Sequence, residues 1–136
     1  MSEDYRDAAQ RHLQDAEFLY QLAPARMANA SHLYGLSAEC SLKVIARYFV
    51  ATKKFNGQSG HIPRLFQELS NISSIGSNHD LVDAINKIQS KFNSWSINQR
   101  YENQAATTFP PDLVAKQQLA TKEASLLMND VLERRI

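Results

Sequence analysis

The stretch LYGLSAECSLKVIARYFV, residues 33–50, strongly limits the folds open to this chain. It predicts a helix, and at 100° per residue its apolar side chains lie almost all the way around the axis. Glu39, Lys43 and Arg47 fall within an arc of about 80°. Because a helix that is apolar on nearly every side must pack against neighbours on nearly every side, we predict that this helix is central to the fold.

The rest of the chain also predicts helices. Four glycines and four prolines occur in 136 residues, and the long stretches between them are rich in residues that lose little side-chain entropy in helices. We place helices at about residues 4–22 and 25–54, then near Pro63, after Ser77 and after Pro110. Ser77 and Asp80 resemble a capping box. This order predicts an all-α, up-and-down antiparallel bundle of about five helices in a single domain, residues 1–136.

Composition restricts the class of protein. Apolar residues make up 43% of the chain and charged residues 21%, as in ordinary globular domains. The first residues, MSEDYRD, are acidic where a secretory signal is basic and then apolar. No run of about 18 apolar residues occurs, and the single Cys40 excludes a disulfide within one chain. We expect a cytoplasmic protein with no membrane association.

Familiar catalytic motifs are missing from the sequence. It contains no glycine-rich phosphate loop, HExxH zinc helix, Glu-x-x-His di-iron pair or Gly-x-Ser-x-Gly elbow. The histidines fall on different predicted elements without metal-ligand spacing: His12, His32, His61 and His79. We therefore predict neither a metal nor a cofactor, and we interpret Cys40 as a packed small side chain.

Charge is unevenly distributed along the chain. The net charge is +1, but residues 26–100 hold nine basic and four acidic side chains, a net of +5. Such a surface can attract an anion, although it is less dense than the basic stripes of dedicated duplex binders. A solvated helix face is the alternative interpretation.

Several segments in order resemble one family. They are HLQDAEFLY, NASHLYGLSAECSLKVIARYF, SGHIPRLFQEL and WSINQRYE. Together, over most of residues 11–103, they resemble the HEPN domain family, helical proteins named for nucleotide binding in higher eukaryotes and prokaryotes. The resemblance implies a HEPN-like bundle, a homodimer, and a minimal nucleotidyltransferase as a possible partner. It also implies possible nucleotide or RNA binding.

Many HEPN proteins are metal-independent ribonucleases with an Arg, a polar residue and, a few residues later, a His. By resemblance, Arg100 lies in the corresponding region, but Tyr101 follows it. Ala105, Ala106 and Thr107 stand where the His would fall, and none of them transfers a proton. Loss of a positioned imidazole typically forfeits a factor of about 10² to 10⁴ in rate, which counts against this activity.

The candidate polar site comprises Glu39, Lys43, Arg47, Arg100 and Tyr101. Glu39 and Lys43 have the favourable i to i+4 order, which contributes only about 0.3–0.5 kcal/mol on an exposed helix. The alternative is that these polar side chains are buried together within the bundle. In that arrangement Glu39 orients Arg100, because buried charges require partners.

Three functions remain open from the sequence. The first is a noncatalytic HEPN-like accessory or binding protein. The second is a divergent ribonuclease, of toxin or defence type, that uses Arg100 with another base such as His61 or His79. The third is a structural interaction bundle that binds neither nucleotides nor RNA.

Overall fold

The computed structural model describes residues 4–22, 26–49, 61–62, 65–66, 69, 75, 77–93, 95 and 110–133. Across these residues the protein is an all-α bundle with four helices and no strand. We number the helices α1 (Tyr5–Gln21), α2 (Met27–Phe49), α3 (His79–Gln89) and α4 (Pro111–Leu132). The all-α prediction is confirmed for this part of the chain. The further helix predicted near Pro63 lies mostly outside it, although Leu65, Phe66 and Leu69 are helical.

Helix α2 lies at the centre, packed against both α1 and α4. Helix α4 also contacts α1 and α3. Arg6 of α1 bonds Asn129 of α4, and Glu17 of α1 bonds Gln118 of α4, so these two helices run antiparallel. The central position follows from the all-round apolar character of α2, whose buried face extends from Met27 to Ala46.

The core is built mainly from aromatic and aliphatic side chains of α2, α3, α4 and the described residues between α2 and α4, and α1 contributes the buried Ala9 and Ala16. Its largest fully buried side chains are Trp95, Tyr34, Phe92, Leu42, Ile45, Ile62, Leu65, Leu69, Ile75, Leu81, Ile88 and Met128. The predicted inward stripe of α3, through Leu81, Ile85 and Ile88, is buried. Phe92 and Trp95 extend that burial, but they lie beyond the end of α3 at Gln89.

Side-chain caps define the starts of α1 and α3. Asp4 caps α1 by accepting a hydrogen bond from the Asp7 backbone N–H at 2.9 Å. At α3 the N-cap is Asn78, whose Oδ1 accepts from the Leu81 N–H at 3.1 Å. The sequence-based assignment of the cap to Ser77 is thus wrong by one residue, because asparagine caps as well as serine does.

Gly35 allows the Trp95 indole to lie directly against α2. A β-carbon at position 35 would overlap that indole around Cε2, the carbon next to Nε1. The Trp95 Nε1–H donates to the Ser31 carbonyl oxygen at 2.9 Å, and the His32 ring stacks on the indole with centroids 5.9 Å apart. Trp95 therefore anchors the chain beyond α3 to the central helix through both packing and a hydrogen bond.

Candidate polar site on the central helix

Glu39 lies in the middle of α2, and its side chain is only 4% exposed. Its carboxylate accepts the Ile62 backbone N–H at 3.1 Å and the Lys43 ammonium at 3.2 Å. His61 Nδ1 lies 3.0 Å and 3.1 Å from the two carboxylate oxygens. These groups form what we call the Glu39 site: Glu39, Lys43, His61 and the Ile62 N–H. Hydrogen bonds to a charged acceptor are stronger than neutral ones, so the carboxylate ties residues 61–62 to α2.

Lys43 is buried along with its partner, its side chain only 5% exposed. The ammonium bonds Glu39 and lies 5.3 Å from the centre of the Tyr5 ring. Of the two interpretations open from the sequence, the structure excludes an exposed i to i+4 pair. A buried pair has different energetics, because removing either partner leaves an uncompensated charge and typically costs about 3–5 kcal/mol.

Arg47 lies at the exposed end of the same helical stripe. Its guanidinium carbon is 4.4 Å from the Tyr5 ring centre, so Lys43 and Arg47 share one aromatic ring from α1. Arg47 also lines a surface groove of about 400 Å³, which we call the arginine groove, together with Asp4, Tyr5, Arg6 and Tyr48. The structure thus separates Arg47 from the buried carboxylate and places it at a surface.

Arg100 and Tyr101 lie outside the described residues, so the predicted contact between Glu39 and Arg100 stays a prediction. The group found on Glu39 is instead His61, which sequence reasoning treated separately as a residue at a helix start. The two residues are 22 positions apart, so no local pattern in the sequence pairs them. Sequence reasoning also missed Tyr5 as the ring beneath both cations.

His61 combines a fixed ring with solvent access. Its side chain is 47% exposed while Nδ1 is held on the buried carboxylate. In the neutral imidazole, donation of Nδ1–H to Glu39 leaves the lone pair on Nε2, the nitrogen available to accept a proton. The His61 carbonyl accepts the Leu65 N–H at 2.8 Å, so the residue also begins a helical turn.

His12 and Tyr34 are neutral groups near buried charge. Burial lowers the pKa of His12, and the adjacent Arg11 lowers it further, against opposite effects of Asp15 and Glu39. Burial raises the pKa of the Tyr34 hydroxyl, and the negative charge of Glu17 adds to the shift. Both side chains therefore favour their uncharged forms near neutral pH.

A second polar network joins α1 and α2 to α4. Ser31 Oγ donates to Gln117 Oε1 at 2.6 Å, and Thr121 Oγ1 lies 3.0 Å from the Tyr34 carbonyl oxygen. Glu17 bonds Gln118 on the neighbouring edge. These bonds satisfy buried polar atoms within the packed helices, so we assign the network a structural role.

The described residues contain no group of three or more His, Cys, Asp or Glu side chains that could hold a metal ion. Cys40 is buried, in keeping with its packing role. None of the helices in the described ranges is long and apolar enough to cross a membrane.

Comparison with known proteins gave no match: no family model, no curated protein and no solved structure resembles the chain significantly. The resemblance to HEPN proteins therefore stays a prediction.

Proposed function

We propose that the chain is a noncatalytic, HEPN-like binding protein that acts as a homodimer and binds nucleotides or single-stranded RNA in the arginine groove. The observation that carries this proposal is the placement of Arg47 over Tyr5 in a groove that Arg6 also lines. Two guanidinium groups from different helices suit a phosphate, which they bind with a fixed, bidentate geometry.

The groove also suits the rest of a nucleotide. Its volume of about 400 Å³ lies within the range of small-molecule sites, roughly 300–1,000 Å³. Tyr48 is exposed and lines the groove. An aromatic ring can stack on any of the bases, because every base has a flat π-face. Asp4 caps α1 and contributes one opposing charge, so the two arginines leave the lining net positive.

The packing beneath Arg47 favours a preformed site. The Tyr5 ring contacts both the exposed Arg47 and the buried Lys43, and Lys43 is itself fixed by Glu39. A guanidinium stacked on a ring loses less conformational freedom on binding than a free side chain does. A minimal nucleotidyltransferase is the protein partner that the family resemblance suggests.

Arg47→Ala is expected to weaken binding of a mononucleotide or a ten-residue RNA by about tenfold or more, because one charged hydrogen bond contributes about 1.5–3 kcal/mol. Fluorescence anisotropy at low and moderate salt measures this, and RNA affinity should fall as salt rises. Arg11→Ala is the matched control, since Arg11 is exposed on α1 and pairs with Asp7 at 3.4 Å. Absence of wild-type binding at low salt, or an equal loss in Arg11→Ala, would contradict the proposal and favour a structural bundle.

A metal-independent ribonuclease is the second candidate, and the Glu39–His61 contact favours it. A carboxylate that orients an exposed imidazole is a common arrangement for a general base. His79, the other candidate base, is the exposed first residue of α3. In this alternative, His61 removes the proton from the attacking hydroxyl of the RNA, while Arg100 stabilises the phosphate by family resemblance.

The binding proposal expects RNA to remain intact after prolonged incubation with the purified protein. Gel analysis of a labelled RNA, with His61→Gln and His79→Gln side by side, separates the two candidates. Cleavage that falls by about 10²-fold or more in His61→Gln but persists in His79→Gln would establish the ribonuclease. Circular dichroism checks that both variants fold.

A further inference from the structure

A second groove lies between α3 and α4, and it shares no described lining residue with the arginine groove. Its volume is about 460 Å³. The described lining residues include one lysine, Lys87, and four carboxylates, from Asp80, Asp83, Glu123 and Asp130. We call it the acidic groove. Its rim is negative although the chain as a whole has a net charge of +1, so the negative charge is local.

The floor of the acidic groove is apolar. Ile88 and Leu127 are buried beneath it, and Leu126 lies on its α4 side with 64% of its surface exposed. Leu119, two turns earlier on α4, is 61% exposed and occupies the same face of that helix. Two exposed leucines on one helix face, beside a groove with a charged rim, are typical of a protein interaction surface.

We propose that the acidic groove binds a basic amphipathic helix of a partner protein. Lysines or arginines on the flanks of that helix would meet the carboxylates, and its apolar side chains would cover Leu126 and the floor. The eleven residues of α3 extend about 16 Å, which matches three turns of a docked helix. Its apolar residues would then recur at positions i, i+3 or i+4, and i+7.

A fluorescent 14-residue peptide of leucine and lysine, patterned as an amphipathic helix, is a suitable probe. It should bind the full-length protein at least tenfold more tightly than a scrambled peptide of the same composition. A leucine and glutamate peptide of the same pattern should not bind. Leu126→Ser, and the double variant Asp83→Asn/Glu123→Gln, should each weaken binding about tenfold or more, and binding should weaken with added salt.

Matched control variants distinguish peptide binding in the acidic groove from nonspecific binding elsewhere on the protein. Phe18→Ser removes an apolar side chain of α1 that is 63% exposed, close to the exposure of Leu126, and should leave binding unchanged. Asp15→Asn is the corresponding charge control.

Equal binding of the scrambled peptide, or equal losses in the Phe18 and Leu126 variants, would overturn the proposal. So would conversion of a wild-type dimer to a monomer by Leu126→Ser, because a second copy would then occupy the groove. Nucleotide binding should be unchanged in Leu126→Ser, which keeps this test independent of the arginine groove.

Discussion

Glu39→Gln is expected to lower the free energy of unfolding by about 3–5 kcal/mol, because it leaves the Lys43 ammonium buried without its counter-charge. Lys43 and Glu39 are both almost wholly shielded from water. Replacing the carboxylate also weakens the acceptor for the Ile62 N–H, so the tether between α2 and residues 61–62 is weakened as well. Urea denaturation followed by circular dichroism measures the change.

Asp7→Asn provides the matched control, since Asp7 and Arg11 form another i to i+4 pair, at 3.4 Å, but with both side chains mostly exposed. Asp7→Asn should lower the free energy of unfolding by no more than about 0.5 kcal/mol. Adding Lys43→Met to Glu39→Gln should recover much of the lost stability, because an apolar replacement of both charges removes the buried ammonium. Losses of similar size in the Glu39 and Asp7 variants would contradict the buried pair.

Trp95→Ala is expected to cost about 3–5 kcal/mol of stability, as large aromatic truncations in a core do. Trp95 is the largest of the fully buried side chains, and it also donates to Ser31. The variant should therefore denature at clearly lower urea concentration. A loss below about 1 kcal/mol would show that the indole does not pack in the core.

Gly35→Ala tests the contact between the Trp95 indole and α2 by changing the residue on α2. Helix propensity alone favours alanine by about 1 kcal/mol, whereas overlap with the indole should make the substitution destabilising by about 1–3 kcal/mol. In a Trp95→Ala background the overlap is absent, so Gly35→Ala should become neutral or stabilising. Asn29→Ala, at an exposed position of α2, controls for propensity. An equal effect of Gly35→Ala with and without Trp95 would place the indole elsewhere.

The all-α class and the central place of α2 were predictable because both depend on local pattern. Hydrophobic periodicity and the scarcity of glycine and proline report helix formation directly. The helix starts were predictable to within about two residues, as the start of α2 at Met27 and the cap at Asn78 illustrate. The apolar periodicity of α3 continues in the sequence through Phe92 and Trp95, so the pattern alone predicts a longer helix than the one that ends at Gln89.

The composition of the Glu39 site was only partly predictable. The four-residue spacing indicated that the Glu39 and Lys43 side chains would be in contact. It could not show whether the pair is exposed or buried, because that depends on which segments cover α2. His61 is 22 residues from Glu39, and Trp95 is 60 residues from Gly35, so neither contact has a local sequence signal. Such pairings follow from the packing of the whole chain, which one sequence does not specify by pattern alone.

The state of the His61 ring tests the central claim most directly, namely that the buried Glu39 carboxylate holds His61 through Nδ1. Nitrogen-15 NMR of the neutral imidazole identifies which ring nitrogen carries the proton. We predict that the proton resides on Nδ1 in the wild-type protein and that Glu39→Leu, which removes both acceptor oxygens, abolishes this preference. A wild-type ring protonated on Nε2, or a ring whose tautomer does not respond to Glu39→Leu, would contradict the account.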